Sequence, residues 1–156
     1  MEFAGAAQAE PGASRPLTFV LCTLPSDSHM WNLVAMQLLI EEMGHTVRNL
    51  GACSPVALVL QECRAEPPDC VVVSTVNGLG GIDAARLITA LRAEPELAGL
   101  PVVIGGSLGV HGEADADPSA ELRDLGYDGV FPVGASAERA LTRFRAFVAA
   151  RAERVR

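Results

Sequence analysis

The stretch Cys70-Val71-Val72-Val73-Ser74-Thr75 is a six-residue run without a charge, four of whose residues are β-branched. It is too short for a helix and reads as a strand buried on both faces. It is the most apolar such run in the chain and is placed at the centre of a sheet. On its C-terminal side Ala84, Leu87, Ile88 and Leu91 recur at helical spacing. On its N-terminal side Val56, Val59, Leu60 and Cys63 do the same, with Ser54 expected as N-cap and Pro55 at the first helical position.

The same alternation extends to both ends. Leu17 to Thr23 reads as a strand, followed by a helix from about Met30 to Met43 that Gly44 stops. Leu33, Met36, Ile40 and Met43 form its apolar face. Thr46 to Leu50 is a more polar strand, expected at a sheet edge. Pro101 to Ile104 is a fourth strand, ending in Gly105 and Gly106. Asp117 and Pro118 open a short helix that Gly126 ends. Gly129 to Val133 is a fifth strand, and Ser136 caps a last helix with Leu141, Phe144 and Val148 expected to face inward. Strict alternation of strands and helices implies an α/β fold with a parallel sheet covered on both faces. The expected fold is a flavodoxin-like (Rossmann-like), doubly wound five-stranded sheet of order 2-1-3-4-5, with ligands bound beyond the carboxyl ends of the strands. That points to the loops 24–32, 51–54, 74–81, 105–116 and 132–136.

The 156 residues suffice for one domain, expected over 17–150. Residues 1–16 read as a disordered leader without a basic n-region, and 151–156 as a tail whose Arg151, Arg154 and Arg156 favour a helix C-terminus. The net charge is −7 and no Lys or Arg stripe is present, which argues against nucleic acid and against an anionic membrane surface. No apolar run approaches the ~18 residues of a spanning helix. None of Cys22, Cys53, Cys63 and Cys70 forms a C-x-x-C pair, so all four are expected to be reduced and structural in a cytoplasmic protein.

The first loop reads Leu24-Pro25-Ser26-Asp27-Ser28-His29-Met30-Trp31-Asn32. A carboxylate two residues before a histidine can accept from one imidazole nitrogen and leave the other for a metal or a proton. It can equally cap the following helix and leave His29 exposed. Other ligands of such sheets fit less well. A flavin-phosphate loop needs a hydroxyl- and Gly-rich turn here. A phosphoacceptor site needs an acidic pair after the first strand and an Asp ending the third, where Ser74-Thr75 stands. The G-x-G-x-x-G of a dinucleotide site would follow the first strand, and a hydrolase elbow Ser flanked by Gly is missing. Glycines instead follow three other strands: Gly78, Gly80 and Gly81, then Gly105, Gly106 and Gly109, then Gly134. They serve either tight turns or the close approach of backbone to a bulky ligand.

Asp27-Ser28-His29-Met30-Trp31-Asn32, then Ser74-Thr75-Val76, then Gly105-Gly106 resemble the D-x-H-x-x-G, S-x-L and G-G signature of the cobalamin-binding domain family. Asn32 stands for the family's Gly and Val76 for its Leu. Asn77-Gly78-Leu79-Gly80-Gly81-Ile82-Asp83 and Phe131-Pro132-Val133-Gly134-Ala135-Ser136 are similar to the small subunit of glutamate mutase (methylaspartate mutase). The resemblance covers roughly residues 17 to 148. It implies that His29 ligates cobalt from below, supported by Asp27, while the cofactor's displaced nucleotide tail enters a slot between sheet and helices. It implies that Ser74 bonds the displaced base, that Gly105 and Gly106 line the tail, and that Pro132 and Gly134 close the far wall. Ser28, Met30, Asn32, Val76 and Gly78 would border the cofactor. Trp31 would cover the corrin or touch a partner, unless it is only a hydrophobe at a helix start. An Asn at position 32 is tolerable if the Gly serves a positive φ; if the Gly serves close packing, Asn weakens binding.

The implied activity is that of an adenosylcobalamin-dependent carbon-skeleton mutase converting glutamate to 3-methylaspartate, an isomerase in which this chain has no catalytic residue. The substrate would be held by a larger TIM-barrel subunit, for whose ~250 residues this chain has no room, so the chain is expected to be inactive alone. The alternatives are a corrinoid carrier for methyl transfer, a cobalamin sensor or storage module, and a scaffold that no longer binds cobalamin. The carrier usually has an N-terminal helical cap, for which residues 1–16 show no periodicity. His45 is expected to be structural, His111 is unassigned, and Asp115 and Asp117 are expected to be solvated or capping.

Overall fold

The computed structural model describes residues 15–76, 80–108, 118–134 and 136–155. Among these residues five strands alternate with five helices: β1 Thr18–Cys22, α1 Trp31–Glu42, β2 Thr46–Asn49, α2 Val56–Ala65, β3 Cys70–Thr75, α3 Gly80–Ala93, β4 Val102–Gly106, α4 Ser119–Leu125, β5 Gly129–Pro132 and α5 Ala137–Arg154. The sheet has the expected order β2-β1-β3-β4-β5, and all four pairings are parallel. β3 is central and wholly buried, whereas edge strand β2 is at most half-buried. The register sets Ser74 opposite Gly105 and Thr75 opposite Gly106, so the polar end of β3 lies level with the glycine pair of β4.

Side chains alternate across the sheet, as a strand period of two requires. Val20 and Cys22, Val71 and Val73, and Val102 and Ile104 point to one side, where Val59, Leu87, Ile88 and Leu122 of α2, α3 and α4 meet them. Phe19 and Leu21, Cys70 and Val72, and Val103 and Phe131 point to the other, under Leu33 and Ile40 of α1 and Phe144 and Val148 of α5. The sheet is therefore doubly wound. No helix among the described residues is long and apolar enough to cross a membrane.

Two local expectations are corrected. Leu141 is 41% exposed rather than inward. The buried stripe of α5 is Ala140, Phe144, Val148 and Ala152, spaced by four, and Leu141 lies about 100° round the helix from Ala140. Ser54 does not cap α2, whose N-cap is Pro55. Its hydroxyl donates to the Gly51 carbonyl at 2.7 Å and accepts from the Thr23 N–H at 3.1 Å, pinning the loop after β2 to the end of β1. Ser136 does cap α5, accepting from the Arg139 N–H. His45 is structural as expected: its Nδ1 accepts from the Leu17 N–H at 3.2 Å. All four cysteines are free thiols, three of them buried and Cys53 exposed. Gly78, Gly109, His111, Asp115, Asp117, Ala135, Arg156 and residues 1–14 of the leader lie outside the described residues.

Candidate functional site

β1 ends at Cys22, and the chain turns through Leu24, whose carbonyl accepts from the Asp27 N–H at 3.0 Å. This turn carries Asp27 inward over the end of β3, where its side chain is fully buried. A buried carboxylate is costly unless hydrogen-bonded, and Asp27 is bonded on both oxygens. Oδ2 accepts from the Thr75 hydroxyl at 2.6 Å and the Val76 N–H at 2.8 Å. Oδ1 accepts from the His29 N–H at 3.0 Å and lies 2.7 Å from His29 Nδ1. Burial pushes the carboxyl up, but the bonds from Thr75, the His29 and Val76 backbone and the His29 ring outweigh it and hold Asp27 well below the usual carboxylate range. An ionised Asp27 has no proton to give, so the proton between the two side chains sits on Nδ1. In the tautomer that this fixes, the lone pair is on Nε2. The His29 side chain is 61% exposed, and Nε2 makes no hydrogen bond among the described residues.

Thr75 was not singled out from the sequence. The available signal was its place as a hydroxyl closing an otherwise apolar central strand. The loop is held from other sides as well. The Ser26 hydroxyl donates to Asp83 of α3 at 2.6 Å, and the Asp27 carbonyl accepts from the Cys53 N–H at 2.8 Å. Around His29 stand exposed side chains of mixed character: Ser28, then Met30 and Trp31 at 50% and 85% exposure, and Val76.

Beside this loop a slot of about 200 Å³ opens between the ends of β3, β4 and β5 and the helices α1 and α5. Asn32, Ser74, Val76, Gly105, Gly106 and Phe131 line it, together with apolar side chains of α1 and α5, Leu141 among them. Pro132 and Gly134 flank the lining residue Val133 without lining the slot themselves. Space at the end of β4 requires glycine at position 106 and is tight at position 105. Gly106 has φ +111°, and a Cβ there would stand 1.8 Å from the Thr75 carbonyl oxygen; a Cβ on Gly105 would stand 3.0 Å from the Phe131 carbonyl oxygen. Asn32 lies in α1 and is not among the positive-φ residues, so backbone strain is no part of its role. Its Nδ2 donates to the Ser74 carbonyl and hydroxyl, each at 3.1 Å. Its Oδ1 is buried with no partner among the described residues.

The slot is smaller than the ~300–1,000 Å³ of a complete small-molecule pocket. It suits one flat ring at the end of a longer ligand, and the exposed His29 suits the ligand's other end.

A B12-binding domain model matches residues 17–142. The chain belongs to the B12-binding domain family. Among curated proteins it is 27% identical over 121 residues to the glutamate mutase sigma subunit of Clostridium cochlearium, covering 78% of this chain and 88% of that protein. It is 32% identical over 117 residues to the glutamate mutase sigma subunit of Halobacterium salinarum, covering 73% and 75%. Among solved structures, a cobalamin-binding protein from Desulfitobacterium hafniense superposes with a TM-score of 0.65 at 22% identity, over 85% of this chain and 60% of that one. A response regulator from Chloroflexus aurantiacus superposes with a TM-score of 0.63 at 18% identity, over 86% and 99%. Those two likenesses concern the fold alone. In this chain the third strand ends in Ser74-Thr75, and Asp27, His29 and Thr75 converge on the first loop. The donor set fits a corrinoid, with one oriented imidazole beside a narrow, mostly apolar slot.

Proposed function

We propose that this chain is the cobalamin-carrying small subunit of a two-component, adenosylcobalamin-dependent mutase that rearranges the carbon skeleton of an amino acid, of the glutamate to 3-methylaspartate type. The observation that carries this reading is the 2.7 Å contact between ionised, fully buried Asp27 and Nδ1 of His29, whose side chain is 61% exposed, which leaves Nε2 as the lone-pair donor. A single imidazole suits a metal whose equatorial positions are filled by its own macrocycle, with the carboxylate fixing the ring and its tautomer.

His29 would hold the cobalt of a bound corrinoid through Nε2. Met30, Trp31 and Val76 offer exposed apolar surface to the flat macrocycle. In the slot, Ser74 would meet the polar edge of the cofactor's base, and Gly105 and Gly106 would leave room for its tail. Adenosylcobalamin supplies the organic radical that abstracts hydrogen from substrate. This chain would bind and orient the cofactor, and a larger TIM-barrel subunit would hold the amino acid. The homology to sigma subunits supports that division of labour.

The test is the visible spectrum of the purified protein with hydroxocobalamin or adenosylcobalamin. A base-off complex with histidine on cobalt is expected, and His29→Ala is expected to lose it. Identical spectra for wild type and His29→Ala would remove the axial-ligand reading. Co-purification with a barrel subunit and isomerisation of glutamate by the pair test the mutase reading; methyl transfer by the isolated chain would favour a carrier instead.

A further inference from the structure

We propose that Asp83 of α3 is a positioning residue for His29. Through its bond to Ser26 it holds the first loop in the form that receives a corrinoid, so that little ordering is left to binding. The inference rests on the cobalamin-subunit reading above.

Two consecutive residues of the first loop grip the two ends of the connection from β3 to α3. Asp27 takes the end next to β3, where its Oδ2 accepts from the Val76 N–H at 2.8 Å. Ser26 takes the first turn of α3. Its hydroxyl donates to Asp83 Oδ2 at 2.6 Å, and its N–H donates to the same oxygen at 3.3 Å. A hydroxyl on a carboxylate at that distance is a short, charge-assisted bond. The Asp83 side chain is only 14% exposed, which limits competition from water. Its other neighbour, Arg86, stands 3.8 Å away with a side chain 73% exposed, and such a surface pair does little to fix the carboxylate.

The two grips reach different elements. An attachment at Asp27 alone would let the turn pivot about that residue. A second attachment one residue earlier, on α3, removes the pivot. His29 follows Asp27 by two residues, so both grips set its backbone. The ring that Asp27 orients is only as well placed as the loop that carries it. Val76 and Ile82, exposed apolar residues at the two ends of the gripped connection, are thereby fixed relative to the imidazole.

Without the Asp83 contact the loop is expected to populate further forms, of which a corrinoid binds only the competent fraction. The apparent dissociation constant then rises by the inverse of that fraction. The loss falls on association, because in the complex the bond to cobalt itself holds the loop. A residue that touched the cofactor would change dissociation and the spectrum instead.

The experiment mixes the full chain rapidly with cobinamide, which has no base to detach. Rates are read from quenching of Trp31, the only tryptophan, and coordination from the visible spectrum at saturation. Ser26→Ala and Asp83→Ala are each expected to slow association about 2- to 10-fold, the range that one hydrogen bond corresponds to. Dissociation and the saturated spectrum are expected to match wild type. The double variant is expected to be no slower than either single one, since both remove the same bond. Ser26→Thr keeps the hydroxyl and Arg86→Ala keeps the bond, so both are expected to associate like wild type. Ser26 is exposed, so Ser26→Ala carries the test even where Asp83→Ala weakens α3. Wild-type association in Ser26→Ala, or additive effects of the two substitutions, would overturn the proposal. So would faster dissociation with an altered spectrum, which would mark Ser26 as a cofactor contact. Cobinamide bound through His29 at one rate in every variant removes the role of Asp83 alone; wild type that retains no corrinoid removes the reading beneath it as well.

Discussion

Asp27 and His29 are two residues apart in the chain, yet the carboxylate of Asp27 contacts His29 twice, at the backbone N–H and at ring Nδ1, 3.0 and 2.7 Å away. The same carboxylate reaches across to Thr75 and Val76 at the end of β3. One buried group therefore both orients the imidazole and ties the loop to the central strand.

Asp27→Asn is expected to reduce corrinoid affinity about 10- to 100-fold, the usual cost of losing a group that orients a metal ligand. It is also expected to lower stability by about 1–3 kcal/mol, because an amide cannot accept from all four donors. Titration against cobalamin and urea unfolding measure the two effects separately. The carboxyl is held low, so its contribution is complete above the ordinary carboxylate range and is lost only as pH falls through its lower folded value. Between about pH 5 and 8 Asp27 stays charged, and a change in wild-type binding across that window has to arise elsewhere. Unaltered affinity in Asp27→Asn would separate Asp27 from the site.

Gly106→Ala tests the packing at the end of β4. A Cβ would meet the Thr75 carbonyl oxygen at 1.8 Å in a backbone with φ +111°. Neither atom can move without disturbing the β3–β4 ladder, so a loss of several kcal/mol or failure to fold is expected. Gly81→Ala, in α3 with nothing within 4 Å of the added carbon, is the control and is expected to change stability by less than about 1 kcal/mol. Comparable thermal midpoints for the two variants would contradict the close-approach argument.

The sheet order was legible because each strand was announced by a short apolar run, and each helix by apolar residues at i, i+3 and i+4. Cys70–Thr75 could only be central, and the polar Thr46–Asn49 only an edge. The Asp27–His29 pair was legible as one of two readings, since both residues sit in one loop. What could not be read were contacts set by the tertiary fold. Asn32 and Ser74 are 42 residues apart, and Asp27 and Thr75 are 48 apart; no local pattern announces either bond. Ser54 had the sequence of an N-cap, but its hydroxyl is taken by Thr23 and Gly51, so a long-range contact overrode the local preference. The apolarity of Leu141 predicts an inward side chain, yet it stands off the buried stripe of α5 and borders the slot.

The thiols should divide into two classes. Cys22 and Cys63 are buried, and burial pushes their thiols up to about 12 and about 11. Cys70 is buried within β3 and is raised further still. At neutral pH these three have almost no thiolate, the reactive form. Cys53 is exposed, in the loop joining β2 to α2. Titration with an aromatic disulfide reagent is expected to modify Cys53 quickly in the native protein and the other three only after unfolding, and Cys53→Ser to remove the fast phase. Two or more fast thiols in the folded protein would show that the core packing is looser than described.

Stability should fall on mild acidification through His45. Its ring packs against Phe19 at 5.7 Å between centroids, and its Nδ1 accepts from the Leu17 N–H, which requires the neutral form at that nitrogen. Burial lowers the folded pKa, and the nearby Asp69 only partly opposes this. The unfolded chain, with an ordinary value of about 6.5, therefore binds a proton before the folded one does. By linkage, stability is full above about pH 6.5 and decreases as pH falls from there toward the lower folded value. Urea midpoints at about pH 8 and about pH 5.5 should differ in wild type. In His45→Asn, which keeps an acceptor near Leu17 but cannot titrate, the difference should shrink. A wild-type difference that survives intact in His45→Asn would assign the effect to another group and show that this imidazole is not the one that titrates.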